Sequence, residues 1–229
     1  MFWEEAAPPG MDPLERAQAQ AALGCDAGLV VHRITADHLA AAIVFAPEVP
    51  LAQAAAMLVT CGIGFSNALG ALAPPEVAVH LEWDGALRVN GARCGRLRMA
   101  AATTDPSVVP DWLIVALDVP LIPGDADAPG LTPDETSLFE EGCVEVDPSD
   151  LLASWTRHTL VWINRWLDEG TAPLAANWRG MVHGTGEATT QTLNGTALSG
   201  TFLGVDEDFG MLLRDDRETH LIPLTSLLE

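Results

Sequence analysis

The sequence predicts an α+β fold: a mixed or antiparallel sheet with packed helices over residues 1–180, then a small β-barrel over 181–229. Three observations carry this. Short strand-like runs are separated by Asp84-Gly85 and Asn90-Gly91, both strong hairpin signals. Two long helical patterns, opening at Pro50 and at Asp147-Pro148, are apolar enough to pack on such a sheet. After Trp178 the pattern changes to short strands broken by Asn194-Gly195, Asp206–Gly210 and Asp215-Asp216. A stretch of that length is small for independent stability, so it is expected to dock on the first unit.

Taken in order, Asp12-Pro13-Leu14-Glu15 is a helix start, with Asp12 as cap and Pro13 suited to the first turn. That helix runs to about Leu23 and stops at Gly24. Ala27 to His32 and Ala40 to Phe45 read as strands across the short connection Arg33–Asp37. Leu51 to Ala73 is uncharged and long enough to span a bilayer. Its polar Gln53, Thr60, Ser66 and Asn67, and its lack of basic flanks, favour a buried core helix. Val77–Trp83 pairs with Ala86–Val89, and Arg96–Ala101 follows. Trp112–Val119 is a continuous apolar run, as in a strand covered on both faces. Ile122–Asp150, rich in Pro, Gly and acids, reads as a solvated excursion. Asp147 then opens a helix to Glu169, stopped by Gly170, whose Leu151, Leu152, Trp155, Leu160, Ile163 and Leu167 are expected to face the sheet.

The 229 residues carry a formal charge of -21, with 32 acidic and 11 basic residues, and every one of the basic residues is arginine. Such a balance argues against nucleic acid as partner, because phosphate contacts need a basic surface. Cys25, Cys61, Cys94 and Cys143 stand singly, without Cys-x-x-Cys spacing, so free thiols in a reducing cytoplasm are expected. The acidic, proline-broken start does not read as a signal peptide. Against this acidic background, Arg88, Arg93, Arg96 and Arg98 crowd one short stretch beside Trp83-Asp84-Gly85. Fixed cations gathered so sparingly suit an anionic ligand.

These elements together resemble the biotin/lipoate protein ligase family: a catalytic domain with a class II synthetase-like sheet, then an SH3-like barrel. The family's Lys-Trp-Pro-Asn-Asp and Lys-Leu-Ala-Gly-Ile-Leu strands are matched by Glu82-Trp83-Asp84-Gly85 and Ala92-Arg93-Cys94-Gly95-Arg96-Leu97. Thr136-Ser137-Leu138, Glu140-Glu141-Gly142 and Val146-Asp147 follow the family's usual run. Gly200–Leu213 is similar to its barrel signature. The resemblance implies activation of a small carboxylic acid, biotin or lipoate, by ATP with Mg, and transfer to a lysine of an acyl-carrier domain. It also implies Arg93 as the catalytic cation, with Arg33, Trp83, Asp84, Gly95 and Arg96 around the ligand and no metal held by the chain itself.

The departures are specific. Counting from Trp83 at family spacing, the strand lysine falls on Arg93; counting back from Gly95 it falls on Ala92. A one-residue slip on a strand would reverse the face. The Gly-Arg-Gly-Arg-x-x-Arg phosphate loop is represented only by Arg33. The Ser-Thr-Asn helix start is Met11-Asp12-Pro13, and Gly-x-Gly-x-Asn is Ala116-Leu117-Asp118-Val119-Pro120. Ser66 sits mid-helix without a nucleophile elbow, and Cys94 has no lysine with which to form a dyad. His32 and His80 read as ordinary sheet-end residues. The alternative to a ligase is a binding protein on the same scaffold, holding an acid, a nucleotide or a carrier domain without turnover.

Overall fold

The computed structural model describes residues 2–123, 134–193 and 195–229. A seven-stranded sheet organises the first unit. Its strands are β1 (Trp3–Ala6), β2 (Leu29–Ile34), β3 (His38–Phe45), β4 (Val79–Leu81), β5 (Ala86–Val89), β6 (Ala92–Ala101) and β7 (Leu113–Pro120). They lie in the order β1-β2-β3-β7-β6-β5-β4, with β1–β2 parallel and the other pairs antiparallel. The sheet is therefore mixed, as expected.

Helix α1 (Pro13–Ala22) begins where the sequence says: the Asp12 carboxylate accepts the Leu14 N–H at 2.9 Å, and Gly24 follows with φ +83°. The β2–β3 connection is tighter than the sequence suggests. Arg33 and Ile34 are still in β2, and the Thr35 N–H donates to the His38 carbonyl at 2.9 Å to close the hairpin. The long apolar helix is divided into α2 (Leu51–Ala54) and α3 (Met57–Leu72). It is long and apolar enough to cross a membrane, yet 72% of its most apolar window is buried inside the fold. At Gly64 a side chain would meet Thr159 Oγ1 at 2.5 Å, so α3 and α4 (Pro148–Glu169) approach almost backbone to backbone.

Two expectations are corrected along α4 and before it. Leu151, Leu152 and Trp155 are buried on α3 and the sheet. Leu160 is 38% exposed and Leu167 76% exposed, so the apolar stripe outruns the surface it was expected to cover. Within Ile122–Asp150, residues 124–133 lie outside the described residues. The remainder from Asp134 is no solvated excursion: Leu138, Cys143 and Val146 are buried in the main core. Backbone bonds tie it down, from Arg93 N to Asp134 O, Thr136 N to Arg93 O and Leu138 N to Pro120 O. The acids dominate its composition, but three apolar residues fix its place. A further helix, α5 (Ala172–Met181), follows Gly170-Thr171, with Pro173 in its first turn.

The C-terminal unit holds β8 (Ala188–Leu193), β9 (Thr196–Val205), β10 (Met211–Arg214) and β11 (Thr219–Ile222) in a four-stranded antiparallel sheet, ordered β11-β10-β9-β8. It docks through aromatics. Trp178 makes edge contacts with Phe202 and Phe209, and the buried Trp83 indole N–H donates to the Phe209 carbonyl at 2.8 Å. Past a 3-10 turn at Leu224–Leu227, Leu228 pairs with Met99 of β6. Replacing Trp83 by Phe keeps most of the packing but leaves a buried carbonyl without its donor. Denaturant titration should show a loss of about 2 kcal/mol; an unchanged midpoint would show that this bond does not hold the two units together.

Candidate functional site

Strand alternation sorts the sheet into two faces. Leu39, Ala41, Ile43, Val115, Leu117 and Met99 face α3 and α4; Val31, Ala42, Val44, Ala100 and Ala116 share a second cluster with Leu14 and Ala17 of α1. The register then fixes what else lies on the α1 face. Arg33 pairs with Ala40, Ala40 with Asp118 and Asp118 with Arg96, giving one row across four strands. The next row is Val31, Ala42, Ala116 and Arg98. Three arginines therefore stand around a floor of alanines, with Arg33 and Arg96 about 14 Å apart by strand spacing.

Arg93 joins them because of a bulge. Ala86 is opposite Arg96 and Arg88 is opposite Arg93, so β6 takes three steps where β5 takes two. Gly95 lies in that interval with φ +101°, and a Cβ there would stand 2.1 Å from the Asp118 carbonyl oxygen. Arg88 shares a face with Ala86, so Arg93 shares one with Arg96. Of the two residues that the spacing leaves open, Arg93 lies on the Arg96 face and Ala92, paired with Val89, on the other. Arg33, Arg88, Arg93, Arg96 and Arg98 all project from one face of the sheet.

Most of these cations have partners within the fold. Glu82 accepts from Arg93 through both carboxylate oxygens and from Arg88 Nε at 2.5 Å. Burial pushes the Glu82 carboxyl up, but the hydrogen bonds and charges of Arg93 and Arg88 outweigh it and hold it below the usual carboxylate range. Arg98 Nη2 donates to both Asp12 oxygens at 2.9 and 2.7 Å, and Nη1 reaches Glu229 at 3.3 Å. Asp12 thus caps α1 and anchors Arg98 at once. Arg98 Nε is buried without a hydrogen-bond partner among the described residues. Arg33 donates to the Met11 carbonyl at 3.2 Å. Arg96 is exposed and makes no ion pair among the described residues. Asp118 lies 3.1 Å from His38 Nε2.

The other anticipated site residues lie elsewhere. Trp83 points away from this face, into the junction with the C-terminal unit, and Asp84 closes the β4–β5 turn by accepting the Ala86 N–H at 3.1 Å. Asp12, His38, Arg98 and Asp118 complete the face. Asp118 falls near the end of the Trp112–Val119 run, and Arg98 is the alternate-residue neighbour of Arg96. The link from Asp12 to Arg98 spans 86 positions and has no local signal.

Residues 1–180 match the pattern of the biotin/lipoate A/B protein ligase family. The chain belongs to that family. Residues 185–229 match a domain of unknown function, DUF4444. A biotin--[acetyl-CoA-carboxylase] ligase of Paracoccus denitrificans is 23% identical over 190 residues, covering 82% of this chain and 78% of the relative. Among solved structures, a biotin protein ligase-like protein of unknown function from Silicibacter sp. TM1040 is 61% identical. It superimposes with a TM-score of 0.91, covering 100% of this chain and 96% of that one. The Aquifex aeolicus biotin protein ligase in complex with biotin and ATP shares the fold at TM-score 0.70 and 15% identity, with 97% and 94% coverage.

As a member of the biotin/lipoate protein ligase family, the chain is distinctive on its α1 face. Where the resemblance places two glycines of Gly-x-Gly-x-Asn, Ala116 and Asp118 rise from the floor. Where it places an Arg- and Gly-rich loop, a closed hairpin carries Arg33 alone. Cys94 is buried on the opposite face with its thiol pushed up to about 12, first by burial and then by Cys143 and nearby carboxylates. It is therefore a packing residue.

Two substitutions test this geometry. Gly95→Ala adds a Cβ at positive φ against a carbonyl, and calorimetry or denaturation should show a loss of about 3 kcal/mol. Glu82→Gln removes an acid whose folded pKa is depressed. Its contribution is present above the unfolded value near 4.5 and is lost as pH falls through the lower folded value. The parent should exceed the variant by about 1 kcal/mol at pH 7, a figure reduced by the exposure of Arg93. The two stability curves should converge below the ordinary carboxylate range; parallel curves at all pH values would refute the pairing.

Proposed function

We propose that this protein activates a small carboxylic acid with ATP on its α1 face and passes the acyl group to a lysine of a carrier domain. What supports this most is the family match over residues 1–180 together with five arginines on one sheet face above an alanine floor. In the first step a carboxylate oxygen attacks the α-phosphorus, pyrophosphate leaves and an acyl-adenylate forms. In the second, the carrier lysine amine attacks the acyl carbonyl and AMP leaves. Negative charge grows on phosphate oxygens in the first step, which fixed guanidinium groups stabilise without reorganisation. Arg33 and Arg96, which no ion pair holds among the described residues, are the cations for nucleotide and acid. Arg93 stands beside them but is chelated by Glu82, so it acts only once that chelate opens. Asp118, its side chain 33% exposed, would be a carboxylate on this face within reach of a magnesium ion carried by the nucleotide, whose charge would offset that of the phosphates.

Biotin and lipoate are the first acids to try, since the Aquifex aeolicus relative is in complex with biotin and ATP. The carrier is then a biotinyl- or lipoyl-type domain, and the cytoplasm the compartment where both meet. Trp83, Asp84 and Gly95 serve by shaping the strands rather than by touching ligand. We further read the chain as two units divided at 180/181, the second an SH3-like barrel.

A second reading has its own support: Glu82 and Asp12 already neutralise Arg93 and Arg98, as in a protein that retains a ligand without turnover. Acid-dependent exchange of labelled pyrophosphate into ATP separates the two. The expected result is exchange with at least one acid, reduced tenfold or more by Arg33→Ala and by Arg96→Ala with melting temperature unchanged. Ligand-induced stabilisation with no exchange above blank would overturn the ligase reading in favour of the second.

A further inference from the structure

The apolar stripe that α4 leaves uncovered opens onto a cavity of about 890 Å³, at the far end of the sheet from the arginine row. Phe45 and Leu113 at the strand ends, Met57 of α3, and Leu160, Trp166 and Leu167 of α4 line it. Along β3, Ala40 and Phe45 lie about 17 Å apart, so this cavity and the arginine row are separate places. Its volume falls in the range of small-molecule sites, about 300 to 1,000 Å³.

Charge decides what would enter. Glu48, Glu207 and Asp208 stand among the lining residues, and none of the lining residues is basic. Glu48 comes from the loop after β3, the other two from the acidic turn between β9 and β10, so carboxylates reach the cavity from both units. An acid or a nucleotide would meet three like charges there. An apolar body would cover the α4 stripe, and a cationic end would face the carboxylates.

We propose that this cavity binds an apolar molecule carrying one positive charge, such as an arylalkyl amine. The site is independent of acid activation on the α1 face. Trp166 lines the cavity and reports occupancy through its emission, and Trp166→Phe assigns the signal among the seven tryptophans. The probes are 4-phenylbutylamine, neutral 4-phenylbutanol and 4-phenylbutyrate, titrated against the full chain. The amine is expected to give a saturable change at least tenfold tighter than the alcohol, and the acid none. The triple variant Glu48→Gln, Glu207→Gln, Asp208→Asn should erase the preference for the amine. Leu167→Arg, at a residue 76% exposed and so tolerant of substitution, should weaken the amine tenfold or more with the melting temperature unchanged. Equal binding of all three probes, no binding by any, or full amine affinity in Leu167→Arg would each overturn the proposal.

Discussion

The place of Arg93 on the α1 face follows from the missing side chain at residue 95. Strands β6 and β7 press together there so closely that any Cβ would strike the Asp118 carbonyl, and the positive φ is one that glycine adopts without penalty. The resulting bulge changes the parity of β6. Without it Arg93 would face α3 and α4, where a guanidinium has no partner and no water. With it, Arg93 joins Arg96 and Arg98, and Cys94 takes the buried position.

The second constraint is electrostatic. In a chain of formal charge -21, arginines drawn to one face find carboxylates from the fold itself. Glu82 ties the β4–β5 hairpin to β6, and Asp12 ties the start of α1 to β6. Removing one partner of such a part-buried pair strands the other, which favours this register over any slipped one. The same pairing uses up charge. Arg88, Arg93 and Arg98 hold the sheet and α1 in place, while Arg33 and Arg96 make no ion pair among the described residues. The cavity at the other end of the sheet carries the opposite sign, so one molecule presents a cationic face and an anionic hollow.

Much of this was legible from residue order because local chemistry wrote it. Asp12-Pro13 and Asp147-Pro148 are caps and first-turn prolines, and both helices begin there. Asn90-Gly91 adopts positive φ at both positions, as its hairpin requires. What was illegible depends on distant partners. The solvated reading of Ile122–Asp150 does not hold from Asp134 on, because Leu138, Cys143 and Val146 are buried in a core built from distant elements. The stripe on α4 was read at helical spacing, but spacing cannot say how far the opposing surface extends. The arginine cluster was plain in the sequence; that Glu82 and Asp12 claim three of its members is a matter of tertiary pairing.

The central claim is that the α1 face, with Arg33 and Arg96, is where an acid and ATP meet. Amide hydrogen exchange with and without ATP and a candidate acid tests it most directly. The account predicts protection of the Arg33–His38 hairpin, of Arg96–Arg98 and of the first turn of α1 when both ligands are present. Protection confined to the α4 cavity, or none at saturating ligand, would contradict it.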